Sequence, residues 1–178
     1  MKMHGKFLSL LLRHRPELIG LTLDPQGWGS VSLILEKGDI TRQELQEIVD
    51  TDSKGRFEFS SCGNFIRCTQ GHSIAVDLSL VETEPTQSLF HGTSVRHLES
   101  IERIGIEKRQ RQHVHLSTNI FTAYEVGRRH GKAVVLEVDA RKMYQDGYKF
   151  YVSTNRVWLT DFVPPQYLTR CEVENFSR

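Results

Sequence analysis

The sequence predicts an α+β protein built as two lobes. Helix-spaced apolar residues alternate with short β-branched or aromatic runs, and each half carries its own apolar periodicity. Between the halves lies a polar, acidic stretch with a proline, Val81 to Ser88. The expected lobes are residues 1–80 and 89–178, with 81–88 as the linker.

In the first half, Phe7, Leu8, Leu11 and Leu12 mark one face of a helix from Gly5 to Arg15. Pro16 ends it, because the proline ring disfavours helical geometry in the residue before it. Trp28 to Val31 reads as a turn or short strand, and Leu33 to Leu35 as a short helix or strand. Thr41 and Glu44 have the spacing of a capping box, followed by the apolar edge Leu45, Ile48 and Val49. Arg56 to Phe59 and Phe65 to Cys68 read as strands flanking a turn at Ser61 to Asn64. Helices followed by a two-stranded hairpin predict a winged-helix-like lobe.

In the second half, a strand at Leu89-Phe90 leads into His91-Gly92-Thr93, which is expected at a strand-to-loop junction. A helix is expected from Val95 to Ile104 with Gly105 as its stop, then a strand from His113 to Leu116. A second helix starts at Ser117 to Asn119 and is stopped by Gly131. Ala133 to Val138 is a strand by β-branched content, and two more follow at Phe150 to Val152 and Arg156 to Leu159.

Composition excludes several classes. With 25% charged and 38% hydrophobic residues the chain is neither disordered nor membrane-embedded. The apolar run Phe7 to Leu12 is too short to cross a bilayer and no small-residue cleavage site follows, so no signal peptide is expected. Cys62, Cys68 and Cys171 lack framework spacing, which fits a reducing cytoplasm. A net charge of +1 means that nucleic acid would have to be met by a local patch, with salt-dependent affinity. No Gly-x-Gly-x-x-Gly, P-loop or Gly-x-Ser-x-Gly elbow is present.

Arginine and histidine gather where the predicted elements end. Arg13-His14-Arg15 either matches a helix dipole or binds an anion, since arginine offers a planar fork to phosphate and histidine moves protons. Arg67, Gln70, Gly71, His72 and Ser73 follow a strand, and a plain hairpin exit explains only the glycine and the serine. Cys62, Cys68 and His72 do not have zinc spacing, and no metal is expected. The glycine of His91-Gly92-Thr93 permits close approach of backbone to a ligand. His113 and His115 share one face of a strand, where they either bind a metal, or one faces a ligand while the other packs, or both form a partly exposed surface pair. Arg128-Arg129-His130-Gly131-Lys132 is either a dipole-matched helix end or another phosphate contact. Together these residues suggest an anionic substrate held between two lobes.

The ordered set Leu10-Leu11-Leu12-Arg13-His14-Arg15-Pro16, Gly27-Trp28, Ile66-Arg67-x-x-Gln70-Gly71-His72-Ser73, His91-Gly92-Thr93, His113-Val114-His115-Leu116-Ser117 and Gly127-x-Arg129-His130-Gly131 resembles the RNA 2′-phosphotransferase family, from about Lys6 to Leu168. The resemblance implies a winged-helix-like RNA lobe and an NAD⁺-binding lobe of the ADP-ribosyltransferase fold. It implies a catalytic cluster of Arg13, His14, Arg67 and a third arginine, assigned to Arg129 with Arg111 as the alternative. His91, Gly92, Thr93, His115 and Ser117 would lie in the pocket for NAD⁺, used as a co-substrate. Gln70, His72 and Ser73 would shape the junction between the lobes.

The implied activity is transfer of an RNA 2′-phosphate to NAD⁺ through an RNA–phospho–ADP-ribose intermediate. The products would be 2′-OH RNA, ADP-ribose 1″,2″-cyclic phosphate and nicotinamide. The expected partner is a tRNA-like RNA carrying a 2′-phosphate, met by a monomer in the cytoplasm with no membrane involved. Val157 stands where related ADP-ribosyltransferases often carry a glutamate. A phosphate nucleophile needs no such base, because its second pKa lies near ~6. Cys68 and Arg156 replace residues that in the family are more often alanine-like and glycine. Two rival readings remain: a transferase that leaves ADP-ribose on phosphorylated nucleic-acid ends or protein, and a non-enzymatic winged-helix binder with a ligand-sensing lobe.

Overall fold

The computed structural model describes residues 3–172; residues 1–2 and 173–178, the outer ends of the expected lobes, lie outside the described residues. The protein is α+β, with small antiparallel sheets and short helices. It divides into two compact units. The first runs to Leu80 and includes Gln110–Gln112, and the second takes Val81–Arg109 and the chain from His113 onward.

The first unit contains α1 (Gly5–Arg13), β1 (Gly29–Ser30), α2 (Val31–Gly38), α3 (Arg42–Asp50), β2 (Phe57–Phe59) and β3 (Phe65–Cys68). Its strands form one antiparallel sheet in the order β1-β3-β2. The apolar face of α1 buries Phe7, Leu8, Leu11 and Leu12 against Leu21, Ile34, Leu45, Phe57 and Ile66. α1 ends at Arg13, short of the expected Arg15, because the residue before Pro16 takes a non-helical ψ of 55°. Leu33 to Leu35 are helical, within a helix whose N-cap Ser30 accepts from the Leu33 N–H. The capping box of Thr41 and Glu44 forms in both directions.

The second unit contains β4 (Leu89–Ser94), α4 (Val95–Ile104), β5 (Ile106–Glu107), β6 (Val114–Leu116), α5 (Ile120–Arg128), β7 (Ala133–Val138), α6 (Ala140–Gln145), β8 (Phe150–Val152), β9 (Trp158–Thr160), β10 (Phe162–Val163) and β11 (Leu168–Arg170). Two three-stranded antiparallel sheets, β11-β7-β4 and β6-β9-β8, carry most of it, with β10 paired to β5. Leu89, Leu116, Val134, Leu136, Val138, Met143 and Phe150 meet in its core.

Two expectations give way here. His91-Gly92-Thr93 is not at a strand-to-loop junction: β4 continues to Ser94, paired with β7 from Leu89↔Val138 to Ser94↔Ala133. Arg156 is not in a strand. It turns at φ +61° between Ser153 and Val157, so the strand begins at Trp158. The short α6, capped by Asp139, went unforeseen because its six residues are too few to show a period. Residues 81–88 belong to the second unit, where Thr83 N–H donates to the Phe150 carbonyl at 2.8 Å.

Candidate active site

In the first unit, the end of α1 delivers two of the predicted residues. Arg13 is only 9% exposed, and its Nε and Nη2 are buried with no hydrogen-bond partner. A desolvated guanidinium with unspent donors is a costly arrangement in an empty fold and a useful one for meeting an anion. His14 caps the helix, its N–H donating to the Leu10 carbonyl.

The segment after β3 closes onto this end. Ser73 N–H donates to the Arg13 carbonyl at 3.1 Å, and Ser73 Oγ lies 2.8 Å from His14 Nδ1. Gly71 has φ +86°, and a Cβ there would lie 3.3 Å from the Arg13 Cζ. The positive φ favours glycine, and a Cβ would also crowd the guanidinium lying against it. His72 is fully buried with neither ring nitrogen hydrogen-bonded, and its carbonyl accepts from Gln112 N–H at 3.1 Å.

Burial disfavours the charged forms of the titrating groups here. It pushes His72 down to about 4, with Arg13, His14 and Arg67 adding to the effect. His14 is lowered by burial, then by Arg13 and Arg111. Arg111 stays exposed over much of its surface, yet partial burial and then Arg13 press its own pKa down. The Cys68 thiol is pushed up to about 11 by burial, which leaves it protonated and inert.

Arg67, on β3, donates from Nε to Glu58 Oε1 at 2.6 Å and from Nη1 to the Gln26 carbonyl at 3.3 Å. Its guanidinium carbon lies 4.3 Å from the ring centroid of Trp28. Trp28 appeared in the sequence motif without a role, and Glu58 and Gln26 were missed.

The second unit carries the remaining predicted residues. His91 Nδ1 lies 3.1 Å from the His115 carbonyl oxygen, which can only accept. Nδ1 therefore holds the proton and Nε2 is an acceptor, and burial lowers the pKa of the ring. Ser117 bonds to Phe90 in both backbone directions, 2.9 Å and 2.7 Å, which ties the start of α5 to the strand of His91. Ser117 Oγ accepts from Asn119 N–H.

Gly92 lies against α5. A Cβ on Gly92 would lie 1.6 Å from the Ala123 carbonyl oxygen, and one on Gly127 would lie 2.6 Å from that of Thr93. These two glycines let α5 rest backbone-to-backbone on β4. Thr93 is buried beside them.

The structure separates the two arginine candidates. Arg111 lies in the segment that belongs to the first unit, where its charge acts on His14. Arg129 lies in the second unit as the exposed C-cap residue of α5, its N–H donating to the Val126 carbonyl. His113 faces Tyr151, ring centroids 6.0 Å apart, and its pKa is lowered chiefly by burial. Among the described residues no three His, Cys, Asp or Glu side chains are placed to hold a metal ion. No helix among them is long and apolar enough to cross a membrane.

A family model described as RNA 2′-phosphotransferase, Tpt1 / KptA family, matches residues 1–162. A protein of Acaryochloris marina named "Probable RNA 2′-phosphotransferase" is 49% identical over 177 residues, 97% of this chain and 98% of its own length. One of the same name from Agrobacterium fabrum is 51% identical over 170 residues, 93% of this chain and 91% of its own. Another from Hahella chejuensis is 47% identical over 174 residues, covering 95% and 94%. With full-length similarity added to the Arg13, His14 and Arg67 geometry, the chain belongs to the RNA 2′-phosphotransferase family.

Proposed function

We propose that this protein removes a 2′-phosphate from RNA by passing it to NAD⁺, a consumed co-substrate. The observation that carries the reading is the end of α1: a buried Arg13 with unspent donors beside a neutral His14, within reach of the charge of Arg111. Such a group suits a phosphate, whose charge replaces the missing partners.

The phosphate cluster is Arg13, His14 and Arg67, with Arg111 preferred over Arg129 as the third arginine. Support comes from Arg111 acting on His14 and from its place in the first unit. His91, with Thr93, His115 and Ser117, would hold NAD⁺. The donor set fits, because a fixed Nε2 acceptor on His91 matches a ribose hydroxyl. Gly92 would serve that pocket indirectly, by seating α5.

The chemistry has two steps. The RNA 2′-phosphate arrives as an anion, and one of its oxygens bonds to the ribose C1″ as the bond to nicotinamide breaks. The adjacent 2″-oxygen then attacks phosphorus and the bond to the RNA 2′-oxygen breaks, leaving a cyclic phosphate. The hydroxyl proton is lost from the attacking oxygen and one is gained by the RNA oxygen. Fixed arginines stabilise the charge on the equatorial oxygens and orient the in-line displacement. His14 begins neutral, and an arriving dianion opposes the arginines that depress it. It can then hold a proton for the leaving 2′-oxygen.

The unit architectures support the same assignment. Helices followed by the β2–β3 hairpin with β1 at its side fit a winged-helix lobe, and the paired small sheets fit an ADP-ribosyltransferase lobe. The deciding experiment incubates the protein with a short RNA bearing one internal 2′-phosphate, with and without NAD⁺, and reads products by mass. NAD⁺-dependent loss of the phosphate with release of nicotinamide and cyclic phosphate is expected. A stable ADP-ribosyl adduct would point to the transferase rival, and no consumption of NAD⁺ by folded protein to a binding module.

A further inference from the structure

Arg67 is gripped on three sides, and each contact removes a different freedom. Glu58 Oε1 at 2.6 Å holds Nε, the Gln26 carbonyl at 3.3 Å takes one hydrogen of Nη1, and the Trp28 indole lies 4.3 Å from Cζ. The indole fixes the plane of the guanidinium, and the two oxygens fix its rotation within that plane. Nη2 keeps both hydrogens without a partner among the described residues, and Nη1 keeps one. That free edge is the fork a phosphate accepts.

The grip is written into local structure. In the antiparallel pairing of β2 with β3, Glu58 stands directly opposite Arg67, so the two side chains leave one face. Both are largely shielded, at 22% and 17% side-chain exposure, where an ion pair holds its geometry better than on an open surface. The other two contacts come from one tight turn. Asp24 Oδ1 accepts from the N–H groups of Gln26 and Trp28, at 2.9 Å each. Gly27, at φ +83°, reverses the chain between them, and a Cβ there would lie 3.4 Å from Val76 Cγ1.

We propose that Glu58 and Trp28 are positioning residues for phosphate transfer: they clamp the Arg67 guanidinium so that its free edge is already oriented when the 2′-phosphate arrives. A flexible arginine would lose side-chain entropy on meeting the phosphate, whereas a clamped one has lost it in folding. The proposal rests on the role given to Arg67 above.

The test measures single-turnover phosphate release from the 2′-phosphorylated RNA, KM for NAD⁺ and thermal melting, in five variants beside the parent. Glu58→Ala and Trp28→Leu are expected to slow release by about a hundredfold, the order that an ångström of misplacement costs. KM for NAD⁺ and the melting temperature should stay close to the parent's. Glu58→Gln keeps an acceptor for Nε–H and Trp28→Phe keeps an aromatic face, so both should recover to within about tenfold of the parent. Parent-like release in Glu58→Ala and Trp28→Leu, beside an inactive Arg67→Ala, overturns the clamp. So does a loss that the two conservative variants share in full. Parent-like release in Arg67→Ala instead removes the role of Arg67 on which the clamp depends.

Discussion

The two units hold their candidate functional residues by opposite means. The first presents charge: Arg13 is buried with unspent donors, Arg67 is gripped, and His14 and His72 are kept neutral around them. The second presents backbone: Gly92 and Gly127 bring β4 and α5 into contact, and the His91 tautomer is set by a main-chain carbonyl. The difference teaches where each should fail. Substitution in the first unit should cost turnover before it costs folding, and in the second the reverse.

The largest effect should fall on Gly92→Ala. Overpacking by a methyl commonly costs about 1–3 kcal/mol when neighbours can shift. Here the obstruction is a backbone carbonyl 1.6 Å from the new Cβ, so the strand and helix must part. Lost amide protection along β4 and β7, read by hydrogen exchange, is expected; unchanged protection would mean that the helix is seated some other way.

Arg67→Ala should follow, lowering phosphate release by about a hundredfold to a thousandfold while the melting temperature barely moves. A large drop in melting would erase the contrast between the units. His14→Ala should slow the second step more than the first, so that RNA–phospho–ADP-ribose accumulates in a quenched time course. Failure of nicotinamide release instead would move His14 into the first step.

Arg111 and Arg129 sharpen the comparison because they lie in different units. Arg111→Ala should cost about tenfold or more in release, as loss of a charged contact to the reacting phosphate does. Arg129→Ala, exposed at a helix end, should stay within about twofold, since dipole contacts of exposed residues are worth at most ~1 kcal/mol and affect stability instead. The opposite ranking would make Arg129 the third arginine.

The smallest effect near neutrality concerns His72. Its imidazole titrates near 6.5 when unfolded and about 4 when folded, so below 6.5 the unfolded chain binds the extra proton. Stability is therefore lost as pH falls: under about 1 kcal/mol between pH 7 and pH 6, growing toward about 3 kcal/mol near pH 4. Denaturant titrations of the parent and of His72→Gln should differ in that slope, and parallel curves would show that His72 is protonated without penalty.

Much of this was legible in the residues, because the signals were local. Arg13 and His14 could be placed at a helix end from the spacing of Phe7, Leu8, Leu11 and Leu12 and from Pro16. Even Glu58 was within reach: a hairpin centred on Ser61 to Asn64 puts positions 58 and 67 opposite each other. What stayed hidden depended on contacts distant in the chain. Nothing near His91-Gly92-Thr93 announces that β7 will extend the strand, or that the glycine faces Ala123. That Arg111 joins the first unit could not be read, because no local pattern tells which unit will take a three-residue segment. The hand of the turn at Arg156, where φ is +61°, left no trace in composition.

That segment also bears on synthesis. Domains generally fold from the N-terminus as the ribosome releases them. Here the first unit lacks the bonds from Gln112, N–H to the His72 carbonyl and Nε2 to the Val76 carbonyl, until Val81–Arg109 have also emerged. A chain cut after Leu80 would retain Arg13, His14 and Arg67 but lack Arg111, so no single cut point yields the first unit whole.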